Sequence, residues 1–251
     1  MRIQYCSDLH LEFEQNNRFM TEYPLSVSGD ILILAGDIVP IHDEFLSNSF
    51  FRYISENFRQ IFWVPGNHEY YYNDISDFDF SSGIKLLGNI SIINNTVIDY
   101  ENIRFIFTTL WSKISKANEK YIGQNISDFE CITKNKKKFI VPDFNKLHHE
   151  SLTFLKYAIS DNPDKTVVVT HHLPSPLCNK DIHQNSTINE AFCSDLTDLI
   201  KESNAAFWVY GHSHHNQKPV YIGNTIMLTN QLGYVQLNEK DGFRQNAYFS
   251  I

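Results

Sequence analysis

Cysteine is scarce in this chain and never closely paired. Cys6, Cys131, Cys178 and Cys193 are scattered through 251 residues with no C-x-x-C. That excludes a disulfide framework and leads us to expect reduced thiols and a cytoplasmic protein. Long apolar runs are missing too. Stretches such as Ile31 to Ala35 are strand-sized, far short of the ~20 residues that span a bilayer. The N-terminal MRIQYCSDLH has neither an apolar h-region nor a cleavage site, so no secretory signal is expected.

Positive charge is also in short supply. Twenty-one basic residues face 29 acidic ones, for a formal charge of -8. The resulting field repels polyanions, which argues against long nucleic acid as a partner. The one basic cluster, Lys134, Lys136, Lys137 and Lys138, reads as a solvated loop; the alternative is a rim that meets an anionic substrate. Glycine (10) and proline (8) form no linker, and there is no repeat or low-complexity segment. With 42% hydrophobic residues, the chain is expected to fold as a single domain over 1–251.

The apolar pattern supplies a coarse outline. Arg2 to Cys6, Ile31 to Ala35, Ile61 to Val64, Thr166 to Val169 and Ala205 to Val209 read as core strands. Helical spacing marks Phe45 to Phe58 and Leu147 to Ile159, and a helix is expected over Ile188 to Ile200. Short β-rich runs fill Ile90 to Leu110, and Pro219–Ile222, Thr225–Leu228 and Tyr234–Leu237 read the same way. Lys113 to Asn145 is the least regular stretch, which usually marks a functional or mobile segment. The whole is an α/β pattern, helices flanking mixed sheets.

What the chain has in plenty is histidine: eleven residues, unevenly spread. The core strands end in a turn followed at once by a metal-competent side chain. The endings are Ser7-Asp8-Leu9-His10, Gly36-Asp37, Gly66-Asn67-His68-Glu69, His171 after Val167–Thr170, and Gly211-His212-Ser213-His214. Ligands of α/β sheets gather beyond the carboxyl ends of the strands. Glycine lets backbone approach a ligand closely, and side chains at i and i+2 converge from one side of an extended segment. Singly, each motif is weak, because Gly-Asp and Gly-His are common turns and a buried histidine is more often a satisfied core residue. Together they offer imidazole and oxygen ligands that suit Mn, Fe, Zn, Ni or Co better than Ca. Two such ions can clamp a phosphoryl group, and they make a locally positive site in a negative protein, which favours small phosphates over polymers.

The ordered set D-x-H, G-D, G-N-H-E, a strand ending in H, and G-H-x-H resembles the calcineurin-like metallophosphoesterases, over residues 8 to 214. The resemblance implies a four-layer α/β/β/α sandwich with two mixed β-sheets, and two divalent transition-metal ions, manganese being favoured in vitro. It implies that Asp8, His10, Asp37 and His214 hold one ion and that Asp37, Asn67, His171 and His212 hold the other. Asp37 would bridge the ions, and His68 would face the scissile phosphate without binding metal. Asp37, Asn67 and His68 thus carry the implied chemistry: attack of a metal-bridging hydroxide on a small phosphomonoester or phosphodiester. Alternatives are a cyclic-nucleotide phosphodiesterase, a nuclease, or a scaffold of the same fold that has lost its ligands.

The chain departs from the protein Ser/Thr phosphatases, which resemble it at the metal motifs. Gly36-Asp37 continues Ile38-Val39-Pro40-Ile41-His42, and the G-N-H-E is followed by Tyr70-Tyr71-Tyr72. The phosphate-gripping arginines and the Asp that orients the catalytic histidine are absent, leaving Asp43 as a weak candidate for the second task. Tyr70, Tyr71, Trp111 and Phe144 either stack on a substrate or simply pack. Asp128 either lines the pocket or caps a turn. His172 reads as structural or pocket-lining and His215 as a support or solvated residue. His42, His148, His149 and His183 read as ordinary.

Overall fold

The computed structural model describes residues 1–160, 163, 165–180 and 186–251. The strands in chain order are β1 (Arg2–Cys6), β2 (Ile31–Leu34), β3 (Gln60–Trp63), β4 (Ile84–Leu87) and β5 (Ile90–Ile92). Then come β6 (Thr96–Tyr100), β7 (Ile103–Thr108), β8 (Thr133–Lys134), β9 (Lys137–Lys138) and β10 (Thr166–Thr170). The last are β11 (Phe207–Val209), β12 (Val220–Ile222), β13 (Thr225–Leu228) and β14 (Tyr248–Ser250). Two six-stranded sheets form, in the orders β14-β1-β2-β3-β5-β4 and β12-β13-β11-β10-β7-β6. In each, four parallel strands are bordered by antiparallel edges.

Period-two alternation divides each strand between two cores. Ile31 and Ile33 of β2 join Ile3, Phe62, Phe105, Val167 and Val209 in a layer between the two sheets. Leu32 and Leu34 point the other way, onto Trp63, Phe51, Ile54 and Met20, beneath the helices Glu14–Glu22 and Ser49–Asn57. On the far side, Val168 and Trp208 pack with Leu155, Ala158 and Ile200 from the helices Val141–Ala158 and Thr197–Ser203. The layers are therefore helix, sheet, sheet, helix, as the resemblance implied. Among the described residues no helix is long and apolar enough to cross a membrane.

Several local expectations need correcting. The helix read over 188–200 is a 3-10 turn, Asn189–Ala191, and a separate helix that begins only at Thr197; the break passes through the Leu173–Cys193 bridge and its backbone bonds. Phe45 to Phe58 is likewise two helices, Asp43–Leu46 and Ser49–Asn57, because Asn48 caps the second by accepting from the Phe50 N–H. Tyr234–Leu237 is not a strand: Val235–Leu237 is a 3-10 turn that ends at Asn238 with a positive φ. The "irregular" stretch contains helices Glu119–Asn125 and Asp128–Cys131, the β8–β9 ribbon, and the first turn of Val141–Ala158 with Pro142 at its start. His183 lies outside the described residues.

Candidate metal centre

The parallel strands of both sheets end at one rim, and the metal-competent residues stand there. The first sheet delivers Asp8, His10, Asp37 and Asn67; the second delivers His171, His212 and His214. The two meet at His212, whose N–H donates to the Asp8 carboxylate at 3.0 Å, while within the second sheet Gly211 N–H donates to the His171 carbonyl at 3.0 Å. Asp8, His10, Asp37, His212 and His214 all have φ between 46° and 73°. Non-glycine residues rarely adopt this left-handed conformation, and the strain of order 1–3 kcal/mol each persists only where surrounding structure enforces it, commonly at functional sites. Gly36 and Gly66 complete the turns. A Cβ at Gly66 would collide with the Asp37 carboxylate and the His171 ring, so only glycine lets the strand ends close to this distance.

Donor atoms of Asp8, His10, Asp37 and His214 lie within 4.8 Å of one another, and so do those of Asp37, His171 and His212. Asn67 Oδ1 joins the second group, 3.1 Å from His171 Nε2. Asp37 therefore belongs to both groups. The outer nitrogens are already engaged. His214 Nδ1 meets Glu239 Oε2 at 2.6 Å, His10 Nδ1 meets Glu12 Oε1 at 3.3 Å, and His171 Nδ1 meets the Ala35 carbonyl at 2.9 Å. Each of those acceptors takes an N–H, which leaves the inner nitrogens as lone pairs. They face one another: His10 Nε2 to His214 Nε2 at 2.9 Å, and His171 Nε2 to His212 Nδ1 at 3.1 Å. Asn67 donates its amide nitrogen to Asp128 Oδ1 at 2.8 Å, so its oxygen also points inward.

Crowded lone pairs need positive charge between them. A proton is one answer: although burial works against it, the Asp37 charge and hydrogen bond push the His171 pKa up to about 10. Burial favours the neutral form of Asp37, yet His171, His68 and His10 hold its carboxyl well below the usual range. His10 and His212 go the other way, lowered first by burial, and stay neutral. The same field draws a divalent cation, and neutral imidazole, carboxylate and amide oxygen are the ligands a transition-metal ion takes. Glu12, Glu239, Asp128 and the Ala35 carbonyl are the outer partners that fix ligand orientation in such centres. The residues present fit two divalent ions.

His68 stands beside both groups. Its Nδ1 meets Glu12 Oε1 at 2.9 Å, its Nε2 lies 3.4 Å from the Tyr234 hydroxyl, and its ring lies flat on Tyr71 with centroids 4.0 Å apart. Burial opposes its charged form, but Asp37 and the Glu12 hydrogen bond outweigh this and push its pKa up to about 9. Glu12, itself raised by burial but lowered more by His10 and His68, is the carboxylate that sequence reasoning missed. Asp43 is not that group; it begins the exposed helix Asp43–Leu46. The signal was present in Asp8-Leu9-His10-Leu11-Glu12, where the acid follows the metal motif at the same two-residue spacing. Glu69, present in the G-N-H-E motif, was given no role by the sequence. Its oxygens accept from the N–H groups of Asp37, Ile38 and Gly66 and from Trp63 Nε1, tying the second and third strand ends together.

The remaining candidates separate cleanly. Tyr70, Trp111 and Phe144 are core residues. Tyr71 supports His68 and donates to Asp128, a buried carboxyl raised by burial that also takes the Asn67 amide N–H, so Asp128 braces the site from behind and does not line its cavity. His172 is wholly buried, packed 4.1 Å from the His212 ring and between Trp111 and Phe144, a structural backing. His148 is structural, with Nδ1 at 2.6 Å from the Trp111 carbonyl. Of the lysine cluster, Lys134 pairs with Asp143 at 3.1 Å, and none of the four lines the cavity at the centre.

Comparison with known proteins agrees with this geometry. A family model described as calcineurin-like phosphoesterase matches residues 1–216. Uncharacterized protein L509 of Acanthamoeba polyphaga mimivirus is 35% identical over 279 aligned positions, covering 100% of this chain and 97% of its own. The crystal structure of a phosphopantetheinyl hydrolase (PptH) from Mycobacterium tuberculosis is similar with a TM-score of 0.73, at 17% identity over 99% of this chain and 95% of that one. At that identity the likeness concerns the fold. Five ordered motifs, two sheets that bring them to one rim, and a family match over most of the length lead to one conclusion: this chain belongs to the calcineurin-like phosphoesterases, as a metal-dependent hydrolase of phosphoester bonds.

Proposed function

We propose that the chain acts as one domain that hydrolyses a small phosphomonoester or phosphodiester at a two-metal centre. Asp8, His10, Asp37 and His214 would hold one ion and Asp37, Asn67, His171 and His212 the other, with Asp37 shared. The observation that carries this reading is the inward convergence of imidazole nitrogens on Asp37 and the Asn67 oxygen, with His10, His171, His214 and Asn67 each turned by an outer hydrogen-bond partner. Bound there, two divalent ions supply a nucleophile from water and neutralise phosphoryl charge.

The residues of the chain do the rest. Asp37 Oδ1 accepts the His68 N–H at 2.9 Å, which locks the His68 turn to the shared ligand. Glu12 holds the His68 Nδ1 proton and turns Nε2 toward the cavity, where it delivers a proton to the departing oxygen. Tyr71 fixes the ring plane from below. His172, Phe192 and Trp111 exclude water behind the second ligand group. Manganese is the ion to supply in vitro, and the acidic chain, with no lysine or arginine lining its described cavity, fits a small substrate better than long nucleic acid. A complete ligand set favours an enzyme over a scaffold.

Metal analysis of the purified protein, with Mn²⁺-dependent hydrolysis of p-nitrophenyl phosphate and bis(p-nitrophenyl) phosphate, tests the reading. Two ions per chain and turnover of at least one ester are expected. A protein that binds two ions and hydrolyses neither would overturn it.

A further inference from the structure

A residue downstream of the last metal motif reaches into the centre. Tyr234 follows Gly211–His214 in the chain, outside every strand-end motif, yet it lines the cavity together with Asp37, Asn67, His68 and His214. Its hydroxyl lies 3.4 Å from His68 Nε2, the nitrogen turned toward the cavity. Its ring stands edge-on to His214, with centroids 4.5 Å apart at 85°, and packs on His10 at 4.7 Å and on Phe13 at 5.4 Å. The body of the phenol is thus wedged among rings while its polar tip stands beside the catalytic imidazole.

The backbone that carries Tyr234 is tied to the first metal motif. Leu232 N–H donates to the Ser7 carbonyl at 3.2 Å, and Gly233 N–H to the Asp8 carbonyl at 3.0 Å. The buried Asn16 clasps both segments: its amide nitrogen donates to the Leu9 carbonyl at 2.9 Å and the Gly233 carbonyl at 2.8 Å, and its Oδ1 accepts the Val235 N–H at 3.1 Å. Tyr234 N–H donates at 2.8 Å to Glu239 Oε2, the oxygen that also meets His214 Nδ1. Gly233 has a φ of +66°, and a Cβ there would come within 2.7 Å of the Glu239 Cβ, so the loop takes this path only with glycine. Tied at this many points, the loop holds the hydroxyl in one place, which is the condition for a donor that stabilises charge without reorganising.

A phenol has one proton to donate and also accepts. When Nε2 carries the proton it gives to the departing oxygen, the Tyr234 oxygen is its partner at rest, which leaves the phenolic proton for another acceptor. Two donors 3.4 Å apart reach neighbouring oxygens of one phosphoryl group. We propose that Tyr234 is a catalytic residue whose hydroxyl donates to a phosphoryl oxygen that stays on phosphorus, while His68 serves the oxygen that leaves. The inference deepens the phosphoester reading and rests on it for where the phosphoryl group sits.

Tyr234→Phe keeps the ring and its packing and deletes the hydroxyl alone. The variant is expected to match wild type in metal content and in the Tm of the metal-free protein. Its kcat with Mn²⁺ should fall about 10- to 100-fold, the size of one hydrogen bond to a charged oxygen. The loss should be the same on p-nitrophenyl phosphate and on ethyl phosphate, because the phosphoryl oxygens are common to both. An unchanged kcat overturns the proposal. So does a loss confined to ethyl phosphate, the signature of a residue that acts through His68, and so does a loss of bound metal. A second readout needs no turnover: calorimetric titration of the Mn²⁺-supplied proteins with inorganic phosphate should give a Kd at least about threefold weaker for Tyr234→Phe. An equal Kd, or no phosphate binding by either protein, refutes the contact. Failure of the two-metal reading looks different, since wild type itself then hydrolyses neither ester, and the two phosphate Kd values alone decide the role of Tyr234.

Discussion

Gly36→Ala offers the sharpest test of how this site is built. Gly36 has a φ of +90°, and a Cβ there falls against the His171 ring and 2.8 Å from the Gly66 nitrogen. Neither neighbour can retreat, because His171 is wholly buried with Nδ1 on the Ala35 carbonyl, and the Gly66 N–H is held by Glu69 at 2.6 Å. The left-handed backbone costs an alanine about 1–2 kcal/mol, and overpacking adds about 1–3 kcal/mol. The sum is roughly 2–5 kcal/mol, which at 2–4 °C per kcal/mol for a chain of this size lowers Tm by about 4–20 °C. Gly88→Ala is the control: that exposed turn glycine has nothing within 4 Å of its would-be Cβ and should stay within ~0.5 kcal/mol of wild type. Far-UV circular dichroism melts of the metal-free proteins isolate packing from metal binding. Titration with Mn²⁺ should then show the ligand group around His171 weakened in Gly36→Ala. If Gly36→Ala melts alongside Gly88→Ala and binds manganese normally, the claim that the strand ends close only around glycine is wrong.

Other expectations follow from the shared ligand and its neighbours. Asp37→Asn should lose both ions by metal analysis, whereas His214→Ala should mainly weaken one; retention of two ions and full activity in Asp37→Asn would break the bridging assignment. His68→Ala should keep its metals and lose ~10²–10⁴-fold in rate, with far greater damage on an alkyl phosphate than on a nitrophenyl ester; equal damage would place its role at the phosphoryl oxygens. Glu12→Gln should retain both ions and show the same leaving-group bias in weaker form, while Asp43→Asn, at an exposed helix start, should show none. In a gel-shift at moderate salt, duplex DNA should show no sub-micromolar binding, and such binding would revive the nuclease alternative.

The parts of the fold that were legible in the sequence are those where one local pattern decides the outcome. Ile31–Leu34 and Thr166–Thr170 are continuous apolar runs, and only a strand covered on both sides accommodates them. The strand-end motifs were legible because glycine and ligand stand next to each other in the chain. What escaped depends on contacts between distant segments. The two-residue spacing marks Glu12 as an acid beside the metal motif but not its partner His68, 56 residues on, and nothing local tells that Asp128 turns the amide of Asn67, 61 residues back. The expected helix over 188–200 failed for a similar reason: apolar residues at helical spacing are there, but Leu173 and Pro174 take the backbone donors of Ser194 and Leu196. The 113–145 segment looked irregular because its helices are of only seven and four residues, too short to show a period.

The division of the donor set between the sheets has a consequence for biosynthesis. His10 and His214 touch across a sequence separation of 204 residues, and the first sheet closes on one side only when β14 pairs with β1. During synthesis the segment with Asp8, Asp37 and Asn67 emerges long before Gly211–His214 exists. A ribosome-bound or truncated chain that ends before residue 211 therefore carries at most fragments of either ligand group. On the two-metal reading, metal loading would follow docking of the two halves, and a chain that stalls early would lack a complete donor set.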